Sequence, residues 1–254
     1  MLNFRNLSSG MHREQPFYGL QAYGIDGVVP PHRSIEEMAR AYLEEVRDVQ
    51  PRGPYLLGGY SGGGIVAFEM AQTLTAAGEQ VDLLALIDTF HPQLVLRQRT
   101  VWGRLGRLRR EGIAYVVGVL RARRERARIT RDFMIIDGHL ARGEPVPLAL
   151  RSLHLTRNFR RAARLYQPKP WPGRATLLRV SDVQDVFQDV SPANGWERHV
   201  LGGVETVVVP AHLTVLLGAN AQALAPLLRA AIERAQLEAA AKAEVSLANI
   251  RSDD

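Results

Sequence analysis

The stretch that most constrains this chain is Tyr55-Leu-Leu-Gly-Gly59, which runs straight into Tyr60-Ser-Gly-Gly63 and an apolar helical segment. The first five residues carry almost no polar side chain. A strand of that kind is buried on both faces, as in parallel sheets. The helix predicted over 63–77 has Val66, Phe68, Met70 and Leu74 on its apolar positions, and Gly78 supplies its stop. Val81–Ile87 reads as a second buried strand that ends at Asp88. Strand pattern resumes at Ala175–Val180 and at Glu205–Val209. A helix is expected from about Ala219 to Ala243, with Pro226 near its first turn or at a kink, and Ser246–Asp254 as a frayed tail. Strands alternating with helices imply an α/β domain: a mostly parallel sheet with helices on both faces. In such sheets functional groups gather at the carboxyl ends of the strands. Ser61 and Asp88 both fall there.

Upstream, residues 16–21 read as a short strand. Ser34 then opens a helix, with Glu37 three residues on as a capping box. Ile35, Met38, Ala39, Tyr42, Val46 and Val49 give this helix one apolar stripe, and Pro51-Arg-Gly-Pro54 stops it. Residues 93–165 differ in character. They are Arg-rich, helical in pattern and without a strand signal, and read as an inserted helical subdomain of a single domain spanning 1–254. The chain has no Cys, which excludes disulfides, thiol nucleophiles and Cys-based metal sites. No apolar run reaches the roughly 20 residues that span a bilayer. The first ten residues lack an apolar signal-peptide core. The expectation is a cytoplasmic protein that does not engage a membrane.

The net charge of +6 is concentrated. Arg97 to Arg131 hold 12 Arg against Glu111 and Glu125, whereas the rest of the chain has 20 basic and 24 acidic residues. Nucleic acid is not the expected partner: the basic segment lacks interleaved aromatic stacking residues, and no RNA-binding signature or Cys/His finger is present. A basic face for an acidic protein partner fits this pattern. Arg121, Arg123 and Arg124 are the candidate contacts, the alternative being a solvated helical face.

Gly59-Tyr60-Ser61-Gly62-Gly63 is a G-x-S-x-G motif in the context the motif requires, between a buried strand and a helix. That context marks Ser61 as a nucleophile. The helix N-terminus behind it favours developing negative charge, and the Gly62 N–H is placed to donate to an oxyanion. A phosphate-binding loop is excluded because no Lys-Ser/Thr follows Gly63-Gly64. A serine nucleophile needs a base and an orienting acid, in chain order Ser, Asp, His on this kind of scaffold. Of seven His residues, His212 alone lies downstream, directly after a strand and before the C-terminal helix. His199 precedes that strand, and His91 beside Pro92 reads as surface loop. The acid has two candidates, Asp88 and Asp182, each at the end of a strand. No His pair has metal-ligand spacing, so no metal is expected.

Several segments, in order, are familiar: Gln15-Pro-Phe-Tyr-Gly-Leu-Gln21, Ser34-Ile-Glu-Glu-Met38, Pro51 through Gly63, Leu84-Ala-Leu-Ile-Asp-Thr89, Gly195-Trp196 and Val209-Pro-Ala-His212. Together they resemble the thioesterase domains of nonribosomal peptide and polyketide synthases. The resemblance covers most of residues 4–232 and is weakest in the Arg-rich insertion. It implies an α/β-hydrolase in which residues 93–165 form a helical lid after the acid-bearing strand, which favours Asp88 over Asp182. It implies a substrate acylated on the phosphopantetheine arm of an acyl or peptidyl carrier protein, and no bound cofactor. Relatives usually begin with a strand and a His-Pro-x-Gly-Gly type of turn upstream of the equivalent of Phe4. By that comparison the N-terminal part is truncated, leaving a gap beside the nucleophile strand.

The expected function is therefore a serine thioesterase that releases an acyl, peptidyl or polyketide chain by hydrolysis or cyclisation through an acyl-Ser61 intermediate. The alternatives are a non-catalytic binding module on a hydrolase fold and a carboxylesterase acting on free esters.

Overall fold

A computed structural model describes residues 4–94, 113–180, 190–209 and 219–252. A short helix α1 (Arg5–Ser8) leads through irregular chain to α2 (Ile35–Val49), β1 (Tyr55–Tyr60), α3 (Gly62–Ala76) and β2 (Val81–Ile87). Two long helices follow, α4 (Ile113–Ala141) and α5 (Leu148–Leu165). The chain then returns to β3 (Ala175–Val180), β4 (Val204–Val209) and α6 (Ala219–Ser252).

The four strands form one parallel sheet in the order β1-β2-β3-β4. Central strand β2 shows why the sequence reads as it does. Leu83 to Ile87 are all buried, because both faces are covered. One face packs α2, α3 and α5 around Leu43, Phe68, Leu74, Leu84, Leu86 and Trp171. The other packs α1 and α6 around Leu7, Leu83, Ile87, Val180, Leu224 and Leu228. Among the described residues β1 pairs with β2 alone, and Gly58 in its middle is exposed.

Local signals explain the element ends. The Glu37 N–H donates to Ser34 Oγ at 3.1 Å, and the Glu37 carboxylate accepts from the Arg33 N–H at 2.8 Å. The reciprocal bond of the capping box thus reaches one residue further back than the motif predicts. Ile35, Met38, Ala39 and Leu43 carry the buried stripe of α2, whereas Val49 at its last turn is exposed. Gly78 ends α3 with φ +78°.

Three expectations are corrected. Residues 16–21 form no strand. Its backbone joins no strand of the sheet, and it runs as largely exposed irregular chain with the Phe17 ring 6.3 Å from Phe4. Helix α6 does not stop at Ala243 but continues to Ser252, because no Gly or Pro follows Ala243 to break it and Glu244, Leu247 and Ala248 favour helix. Pro226 lies two turns inside it. His91 is not on the surface: it is 6% exposed.

Between β2 and β3 the described residues contain helices alone. Arg157 of α5 donates two hydrogen bonds to Asp137 of α4, the longer at 3.1 Å. The α4–α5 connection is tied to the segment before α2, because the Val146 N–H donates to Gly27 O at 3.1 Å and Asn158 Nδ2 to His32 O at 2.5 Å. Residues 95–112, which include Arg97 to Arg110 of the basic segment, lie outside the described residues. No helix among the described residues is long and apolar enough to cross a membrane.

Candidate active site

Ser61 occupies the single residue between β1 and α3. Its backbone has φ 50° and ψ −119°, a conformation that costs a non-glycine residue on the order of 1–3 kcal/mol. The neighbouring glycines make this turn possible. A Cβ on Gly59 would lie 2.3 Å from the carbonyl carbon and oxygen of Gly63, so strand and helix approach as closely as bare backbone allows. Ser61 is exposed and its side chain does not cap α3. Its hydroxyl stands at the positive end of the helix, where the N–H of Gly62 begins the run of helix amides. Over this point lies α5. A Cβ on Gly62 would come within 2.5 Å of Phe159 Cε1, so the Phe159 ring forms a wall directly beside the turn.

Asp88 lies past the end of β2, the strand beside the nucleophile strand. It too has positive φ, 46°, and its N–H donates to Leu178 O at 2.9 Å. The side chain is buried, and Oδ1 has no hydrogen-bond partner among the described residues. Burial pushes the carboxyl pKa up, while the Val180 N–H and the Arg179 guanidinium oppose that shift. Desolvation and the charge of Asp88 also raise the phenol pKa of Tyr60. His212 and Asp182 both lie outside the described residues.

Residues that the motif reading passed over hold these two turns in place. Thr89 is fully buried, and its hydroxyl faces the carbonyls of Ser61, Ile87 and Gly59 at 3.1, 3.2 and 3.4 Å. The Thr89 carbonyl accepts from Trp196 Nε1 at 3.1 Å and from Asn194 Nδ2 at 3.3 Å. The Gly195-Trp196 pair was visible in the sequence only as part of the family resemblance. Its role depends on a contact more than a hundred residues away.

Behind this hub, His91 stacks on His199 with ring centroids 4.5 Å apart and meets Trp196 edge-on at 5.0 Å. Strand order in the sequence set these two His apart, but the 190–199 segment folds back and joins them. Burial and the neighbouring His199 push the His91 pKa down to about 4. Unfolded, the same imidazole protonates near pH 6.5. Between those values the unfolded state binds more protons, so stability falls as pH drops from 6.5 towards 4, by up to about 3 kcal/mol. Above pH 6.5 the effect vanishes. His91→Gln is expected to flatten this slope, measured as the difference in urea midpoint between pH 7 and pH 4.5. An unchanged slope would assign the acid sensitivity to other groups.

Arg121, Arg123 and Arg124 are all exposed on α4. Further along the same helix, Arg128 is engaged by Glu125 at 2.6 Å and Arg131 approaches Asp132 at 3.7 Å. The described residues hold no cluster of three His, Cys, Asp or Glu suited to a metal.

A strained serine at a strand–turn–helix junction, with a buried carboxylate just past the end of the adjacent strand, is an arrangement that suits a hydrolase, and comparison with known proteins narrows it. The model of the thioesterase domain matches residues 2–232. The chain belongs to the thioesterase-domain family. It is 44% identical over 103 residues to indigoidine synthase of Streptomyces lavendulae, a match that takes in 41% of this chain and 8% of that protein. It is 52% identical over 79 residues to malpibaldin synthetase of Mortierella alpina, covering 31% of this chain and 1% of the synthetase. The chain thus spans less than a tenth of these relatives. Among solved structures it is similar to the NocB thioesterase domain in covalent complex with a fluorophosphonate nocardicin G analog. That match has a TM-score of 0.61 and 25% identity over 92% of this chain and 88% of the other. The α/β-hydrolase fold expected from the sequence is the fold of this thioesterase domain.

Proposed function

We propose that this thioesterase domain works through an acyl-serine intermediate formed on Ser61. The observation that carries the reading is Ser61, strained and exposed at the terminus of α3, together with the buried Asp88 carboxylate just past the end of the neighbouring strand. Ser61 Oγ attacks the thioester carbonyl as its proton passes to His212. The oxyanion accepts from the Gly62 N–H. Collapse breaks the C–S bond, and the thiol leaves with the proton from His212. Water, or a nucleophile within the acyl chain, then attacks the ester and regenerates the serine. Asp88 accepts from the imidazole N–H and holds its tautomer. The covalent complex of the similar NocB thioesterase domain with a fluorophosphonate supports a covalent route in this fold. The test is single-turnover reaction with an acyl thioester and recovery of the acyl group on the peptide containing Ser61. A steady state without an acylated peptide would overturn the covalent route.

The substrate in this reading is an acyl or peptidyl chain on the phosphopantetheine of a carrier protein, consistent with relatives that are synthetases. The residues that line the α4 surface suit an acidic partner. Reversing charge at Arg121, Arg123 and Arg124 together is expected to slow association with an acidic carrier about tenfold at low salt and to flatten its salt dependence. Stopped-flow association at several ionic strengths reads both. Unchanged rates at low salt would leave these arginines as a solvated face.

A further inference from the structure

Among the described residues, three that are not glycine have positive φ: Ser61, Asp88 and Asn194. All three meet at Thr89. The carbonyl of Ser61 is the nearest acceptor for its hydroxyl, at 3.1 Å. Asp88 precedes it in the chain. The Asn194 amide donates to its carbonyl at 3.3 Å, beside the Trp196 indole N–H at 3.1 Å. Strained backbone persists only where surrounding contacts over-determine it. Here one residue hydrogen-bonds to two of them and adjoins the third in the chain.

We propose that Thr89 is a positioning residue of the acylation site: its hydroxyl holds the Ser61 carbonyl while Asn194 and Trp196 hold its own carbonyl, so the nucleophile turn and the acid turn keep one separation. The proposal rests on the reading of Ser61 as nucleophile. The side chain is fitted to this place. A Cβ on Gly64 would lie 2.1 Å from Thr89 Oγ1, so the hydroxyl fills space that exists because residue 64 is glycine. Ser61 O also accepts from the Gly64 N–H at 3.1 Å. Without the Thr89 hydroxyl, that carbonyl keeps one bond, and three carbonyls face a methyl group in a buried pocket. The Ser61 turn then has fewer contacts to maintain its φ. Attack on a carbonyl is sensitive to displacements of about 1 Å, which cost about 10²-fold.

The test compares Thr89→Val, which keeps the shape and deletes the hydroxyl, with Thr89→Ser, which restores it. An acyl N-acetylcysteamine thioester in single-turnover mode reads acylation, and a fluorophosphonate reads the reactivity of Ser61 directly. Thr89→Val is expected to acylate about 10- to 100-fold more slowly with KM within about 3-fold of the parent, and Thr89→Ser to recover to within about 3-fold. A Val variant as fast as the parent, or a Ser variant as slow as Val, would overturn the proposal. If Thr89→Val does not fold, Trp196→Phe decides. It keeps an aromatic ring against Phe68 and His91 but deletes the N–H to Thr89, and a loss of about 3- to 10-fold in acylation is expected; an unchanged rate would overturn the proposal. A Ser61→Ala control separates the two layers. If that variant still acylates, the nucleophile reading has failed whatever Thr89 does; if it is dead, the Thr89 results bear on positioning alone.

Discussion

Ser61→Ala is expected to lower turnover of an acyl thioester by about 10⁶-fold, because removing the nucleophile removes the covalent route and leaves only binding and the oxyanion donor. Folding should be little changed. The side chain is exposed and does not cap α3, and alanine meets the same cost at φ 50° that serine already meets. Steady-state kinetics with an N-acetylcysteamine thioester, alongside a thermal melt, would show the separation. A variant that retains a tenth of the parent rate would exclude Ser61 as nucleophile.

Asp88→Asn is expected to lower turnover by about 10⁴-fold, since an amide in place of the carboxylate stabilises the wrong imidazole tautomer. Its effect on stability should run the other way. Burial raises the Asp88 pKa, so ionisation is less favourable in the folded state than in the unfolded one, and at neutral pH the charge opposes folding. Removing it should leave the melting temperature unchanged or raise it. Activity and stability therefore part in this variant, as they do where a site keeps a costly group for function. Asp182→Asn should change the rate little. If Asp182→Asn is the damaging change, the assignment of the acid is wrong.

The acid shows how far local sequence carries and where it stops. Asp88 and Asp182 are equivalent in local pattern, each at the end of an apolar strand. Sequence resemblance favoured Asp88. The structure adds what no local pattern contains: Asp88 is buried at 7% exposure on the strand next to β1, with one carboxylate oxygen lacking a donor among the described residues. His91 teaches the reverse lesson. Next to Pro92 after a strand it has every local mark of a surface loop, yet His199 and Trp196 cover it. Its burial is set by residues more than a hundred positions away, and periodicity is blind to those.

What the sequence determined by itself is what nearest neighbours in the chain enforce. Short, largely apolar runs bounded by turn residues pointed to buried strands, and β1, β2 and β3 appear there. Glycines flanking Ser61 could only mean close approach of strand and helix, and the Gly59–Gly63 contact shows it. The Ser34–Glu37 cap was equally local. The tertiary structure decided the rest. It left residues 16–21 out of the sheet, because a strand forms only by pairing with a neighbour, and this segment pairs with none of the four strands. It set the Phe159 ring against Gly62. It brought Thr89, Asn194 and Trp196 into one hydrogen-bonded hub under the two strained turns. Such contacts join segments with no pattern in common, and the physical reason for them is that a buried polar group must find its partners among whatever the fold brings within reach.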